Sequence, residues 1–470
     1  MVVLEKKIAC IMLLFSIVLL TSFPVSAISE QQINRDIKVV VVLVEFTNLK
    51  HVATFETSDE RIQWKVFDRM NNYFRNVSCG RISISGSANS KWYLLDGDIN
   101  KYTYYDGMNR EVNFTSFVED VVKMADKDID FRYYDNLIIL HAGTSEQFGY
   151  NPFAMSYLDI RTEDGVVIKD VVVNSVSDSF IVIAHEFAHV LGHLPDLYDV
   201  DLAKEERYDE AINKYVGPWD LMSSRFNLWP SFLAWNLAKL KWLSPSNVVS
   251  VKKEEPFNAK LDPLYRITDN LKVINVSLSA SVYYLVEVRQ FVTAFDGFLP
   301  DRGVLITLVN ESVPVNEGGV KVIISDAGQP TIDKATFDLR DGKMPVYLDK
   351  QNNLSIILRS QVDGSYIIEV ADYGVGEDAL VVFKSISALG KTLRQEFWVI
   401  DFLGSRRLLD NALSMYENGN QLGAKALIET ARETNGNNSV ITFTLASFIL
   451  YFMRRFYSFF KGVLVLYAIL

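Results

Sequence analysis

The sequence predicts a mixed α/β (α+β) fold: an α/β domain, then an all-β, sandwich-like domain, then a short helical C-terminal region. Three observations carry that expectation. Over the first half of the chain, continuous β-branched runs alternate with segments of helical period. Over 244–382, short strands are separated by Asn, Asp and Gly. Ala/Leu-rich helical segments follow. The expected divisions are 1–27, 28–243, 244–382, 383–436 and 437–470. With 470 residues, 49% of them hydrophobic and 12% aromatic, the chain can bury more than one core.

In chain order, KVVVVLVEF at 38–46 reads as a strand buried on both faces, because no polar residue alternates with its apolar ones. Residues 59–74 place Ile62, Val66, Phe67, Met70 and Phe74 at helical spacing. A strand is expected at 81–86, a helix at 117–125 and a second buried strand at 136–143. The apolar residues 179–184 then lead into a helix that holds the chain's histidine cluster. Beyond it, 201–214 is charged, and GPWDLMSS at 217–224 is a tight turn carrying Met222. A tryptophan-rich helix is expected over 229–243, with Pro230 in its first turn. Strands are expected at 283–288, 303–309, 320–324, 355–358 and 365–370. The segments 406–416 and 423–432 form a helical hairpin and spacer.

Both ends carry targeting features. Lys6 and Lys7, an apolar run from Ile8 to Leu20 and Val25-Ser26-Ala27 make a secretory signal peptide cleaved after Ala27. Cys10 falls inside it, so the mature chain retains Cys79, expected as a small buried residue. Near the other end, Val440 to Met453 is apolar and Arg454-Arg455 follow, the pattern of a C-terminal membrane anchor with the body outside. The expected location is therefore extracellular or cell-surface. The formal charge of -11 argues against nucleic acid as a partner.

The chemistry concentrates in HEFAHVLGHLPD. Three of the five histidines of the chain, His185, His189 and His193, fall within these twelve residues. On a helix, residues four apart lie on one face, so His185 and His189 can present two imidazoles to one zinc ion. Glu186, one step round, can serve as general base toward a zinc-activated water. A catalytic zinc takes three protein ligands. On a straight helix, His193 would sit about 12 Å along the axis from His185, too far for three ligands to converge. If Gly192 takes a left-handed turn, the chain returns across the metal, with Pro195 stiffening the approach of Asp196. Asp196 thus ranks first as third ligand, His193 second and Asp199 third. Tyr208 or Tyr215 is a candidate donor to the reacting carbonyl.

The chain resembles the immune inhibitor A family of secreted metallopeptidases, within the wider metzincin-like zinc group. The resemblance runs from Lys38 to about Asn310. It rests on ordered blocks: KVVVVLVEF, FRNVSCGRISISG, IDFRYYDNLIILHAG, the histidine stretch through LPDLYD, GPWDLMSS, LAWNLAKLKWL, YYLVEVRQ and FDGFLPDRGVLITLVNE. It implies a zincin-type catalytic domain with a zinc helix and Met-turn. His185, His189 and Asp196 would be ligands, Glu186 the general base and Met222 the methionine under the metal. The family spacing is glycine, two residues, aspartate; here three residues separate Gly192 from Asp196. Family members often carry a sizeable propeptide, whereas about ten residues separate Ala27 from the first strand.

The expected activity is zinc-dependent endopeptidase hydrolysis of protein or peptide substrates outside the cell. Ca2+ is a second, structural cofactor expectation, although the scattered acids form no calcium loop. One alternative is a non-catalytic cell-surface binding protein on the same scaffold. Another is a zinc aminopeptidase drawing a ligand from Glu205, Glu206 or Glu210.

Overall fold

A computed structural model describes residues 35–439 except 107–108, 149–151, 224–228, 294, 326–330, 341, 396–403 and 438. The segments expected as signal peptide, 1–27, and as the apolar anchor run from Val440 lie outside the described residues. Among the described residues, no helix is long and apolar enough to cross a membrane.

The molecule is mixed α/β, and its first sheet is built around the strand Arg35–Glu45. Ile37 and Val39 to Val44 are at most 1% exposed, as a β-branched run between two neighbouring strands requires. The strand pairs in parallel with Ile82–Leu94 on one side and Asn136–His141 on the other. Val171–Ser175 continues the parallel order beyond Asn136–His141. The short strand Phe153–Met155 closes the edge antiparallel to it. Phe114–Ala125 is a helix whose Phe117, Val118, Val121 and Val122 share a core with Val40, Val42 and Val44.

The helix expected at 59–74 is present, but its middle is wider than an α-helix. Asp59–Gln63 and Asn71–Val77 flank a π-helical stretch, Trp64–Met70. Cys79, expected to be buried, is half-buried, with φ 52°. The helix Phe180–Gly192 follows the strand Val171–Ser175, and within it, between Glu186 and Phe187, the chain divides into two compact units.

The second unit contains the remaining sheets. Five strands run in the order Val248–Lys252, Val273–Ser277, Val282–Arg289, Gly303–Asn310, Val320–Val322. Four more run Phe257–Leu261, Ser365–Ala371, Leu354–Val362, Val346–Asp349. Val286, Val288 and Ile306 from the first of these sheets share one hydrophobic cluster with Ile356, Leu358 and Ile368 from the second. The last strand ends at Ala371, and a 23-residue helix, Tyr373–Gln395, follows where the sequence reads β structure up to Val382. Its Ala379 and Val382 are fully buried, and they join Tyr416 and Ile428 of the following helical segments against Val346 and Ile357.

Candidate metal centre

The helix Phe180–Gly192 has buried residues on every side: Ile181, Ile183, Ala184, Phe187 and Ala188 are all 0% exposed. Such a helix is an interior element rather than an amphipathic surface one. His185 and Glu186 are buried with it, at 3% and 5%. His189, one turn after His185, is half-buried.

The helix ends differently from the sequence expectation. Gly192 is its last helical residue and does not take the left-handed conformation; His193 does, with φ 48°. A Cβ at 192 would meet the terminal methyl of Leu240, which would have to shift to admit it. His193 accepts backbone strain that glycine would avoid, of about 1–2 kcal/mol. The turn it makes brings the chain back over the helix end. Leu194 then lies 2% exposed, and its carbonyl accepts a 2.6 Å hydrogen bond from Nδ1 of His189. Because a carbonyl only accepts, Nδ1 carries the proton and Nε2 of the neutral ring is left with its lone pair. This is the backbone partner that metal-binding histidines ordinarily have.

Nε2 of His189 lies 3.5 Å from Oδ1 of Asp196. Two donors held at about 2.1 Å by one tetrahedral ion stand about 3.4 Å apart, so this separation fits a shared metal. One ligand atom each from His185, His189 and Asp196 lies within 4.8 Å of the others. Among the described residues this is the one such group of three His, Cys, Asp or Glu side chains. The donor set of two imidazoles and one carboxylate suits zinc.

The other candidates are placed elsewhere. His193 is exposed and is not one of the converging three. Asp199 caps the helix Val200–Lys204 by accepting from the Leu202 amide, and it also accepts from Lys214 and from the Tyr215 hydroxyl. The Lys214 ammonium above all, with the cap amide, holds the Asp199 carboxyl down to about 2. Tyr215 is thus occupied as a donor to Asp199, and Tyr208 is 50% exposed. Glu205 and Glu210 are exposed and pair with Arg207, and Glu206 is exposed as well.

Met222 is fully buried in the turn Leu221–Ser223. Its carbonyl accepts from the amide of Leu197 at 2.8 Å, so the turn holds the residue directly after Asp196. Its own amide donates to Oδ1 of Asp220 at 2.8 Å. Asp220 is completely buried, and its carboxylate also accepts from the Leu233 amide and the Asn236 side chain. Burial raises its pKa to about 6, against the opposing effect of those donors.

The sequence reading missed this support. Its trace in the sequence is an acid two residues before the turn methionine. The expected helix over 229–243 is shortened to Ala234–Lys239, because 231–233 is held as a loop, the Leu233 amide by Asp220. No protein-family model matches this sequence, and no curated protein matches it either.

Proposed function

We propose that the chain is an exported zinc-dependent endopeptidase on a zincin-type catalytic domain, with Met222 in the turn beneath the metal, followed in the chain by a sandwich-like β domain. The observation that carries this reading is the convergence of His185, His189 and Asp196, with Glu186 next to the first ligand on the same helix. Zinc held there would supply Lewis acidity, polarising the scissile carbonyl and making an attacking water more acidic. Glu186 takes the proton from that water and passes it to the leaving amine, so one peptide bond breaks and one water is consumed. A structural zinc would need no carboxylate at 186. The signal-like N-terminus and the apolar C-terminal segment support a location on the outer face of a membrane.

The test is Glu186→Gln in the full-length protein, with zinc content measured beside hydrolysis of a peptide library. Zinc should remain bound while cleavage falls by about 10²- to 10⁴-fold. A variant that holds zinc and cleaves like the parent would falsify the assignment.

A further inference from the structure

The strand Val282–Arg289 places Glu287 and Arg289 two residues apart, hence on one face, and both are at most 1% exposed. They form a buried ion pair at 2.9 Å. Three further bonds of the pair go to one short segment. Oε2 of Glu287 accepts from the Ala234 amide at 2.7 Å. Arg289 donates to the Phe232 carbonyl at 3.1 Å and to Oγ of Ser231 at 2.6 Å. Tyr265, buried beneath the guanidinium, donates to the same Phe232 carbonyl at 2.6 Å. From its other side the segment gives the Leu233 amide to Asp220, at 2.6 Å.

The bonds form a continuous series: Arg289 and Glu287 to 231–234, Leu233 to Asp220, Asp220 to the Met222 amide, and the Met222 carbonyl to Leu197, next to Asp196. Burying an ion pair adds little net stability over two apolar residues of similar size. What the charges supply here is direction, since Oε2 of Glu287 and both terminal nitrogens of Arg289 are aimed at the one segment 231–234.

We propose that Glu287 and Arg289 are positioning residues for the metal centre, holding the Met222 turn and, through it, the loop that presents Asp196. This rests on the zinc-peptidase reading. The sheet that contains Val282–Arg289 then belongs to the machinery of the site and is not an independent appendage.

The experiment uses the full-length protein, a double Glu287→Leu/Arg289→Met variant, and Arg289→Lys. Amide hydrogen exchange at Leu197, Met222 and Leu233 is read beside zinc affinity by chelator competition and the kcat and KM of peptide cleavage. The apolar pair should keep its circular dichroism and cooperative melting. Exchange at the three amides should quicken about tenfold or more, zinc affinity should fall about 10- to 100-fold, and kcat should drop with KM little changed. A folded double variant with parental exchange and parental zinc affinity overturns the proposal. Should the apolar pair not fold, Arg289→Lys decides: it keeps the charge and loses the two-pronged donation, and parental exchange at Met222 and Leu233 overturns the proposal equally. If the parent protein neither holds zinc nor cleaves peptides, the peptidase reading fails, while exchange at Leu197 and Met222 still decides whether the pair holds the loop.

Discussion

At the scale of single residues, the loop after the helix Phe180–Gly192 is governed by one left-handed residue and one carbonyl. His193 turns the chain, and the Leu194 carbonyl orients His189 toward Asp196. Asp196→Ala should therefore lower zinc affinity by at least about 100-fold, measured by chelator competition. His193→Gly should hold zinc like the parent. It should also raise unfolding free energy by about 0.5–1 kcal/mol, because relief of left-handed strain exceeds the added chain entropy of glycine. A loss of zinc in His193→Gly would reverse the ranking of the two residues. Asp220 adds a pH signature. Its folded pKa of about 6 lies above the ordinary carboxylate value, so the folded state binds the proton more tightly. Its contribution to stability is then greatest below about pH 4 and declines as pH rises to 6, by on the order of 3 kcal/mol. Asp220→Asn should flatten that part of the stability curve in urea titrations of metal-free protein; an unchanged slope would count against the assignment.

At the scale of elements, the parallel sheet depends on a close main-chain approach that the strand pattern does not announce. Gly86 has φ 151° and pairs with Val39, and a Cβ there would stand 1.8 Å from the Val39 carbonyl oxygen. Backbone cannot move aside as a side chain can. Gly86→Ala should cost about 3 kcal/mol, seen as a lower urea midpoint. A midpoint within error of the parent would show that the two strands can separate at little cost. The helix Ala234–Lys239 makes the complementary point: carboxylates remote in sequence, Asp220 and Glu287, accept its entry amides.

At the scale of the whole chain, the C-terminal helices belong to the core of the second unit rather than trailing from it. Arg359, 1% exposed, pairs with Glu369 at 2.6 Å and lies over the ring of Tyr416, whose hydroxyl donates to the Leu358 carbonyl. Tyr416 is fully buried. Tyr416→Ala should cost about 3–5 kcal/mol and open the 373–437 region to limited proteolysis. Resistance equal to the parent would mean that the helices hold without this anchor.

The sequence named the three residues that the fold brings together as a candidate site, because the signals for them are local. The spacing of His185 and His189 sets their common helix face, Glu186 follows from adjacency, and the β-branched run at 38–46 implies a strand covered on both sides. The extra residue between Gly192 and Asp196 left the third position open between two side chains. Local spacing could not choose between them, since the placing of Asp196 beside His189 goes with the Leu194 carbonyl at His189 and the Met222 carbonyl at Leu197. The shortened helix at 234 and the Glu287–Arg289 support were hidden for the same reason. Periodicity records which face of an element is apolar, whereas the path of a polar loop is set by partners tens of residues away, which only the folded chain brings together.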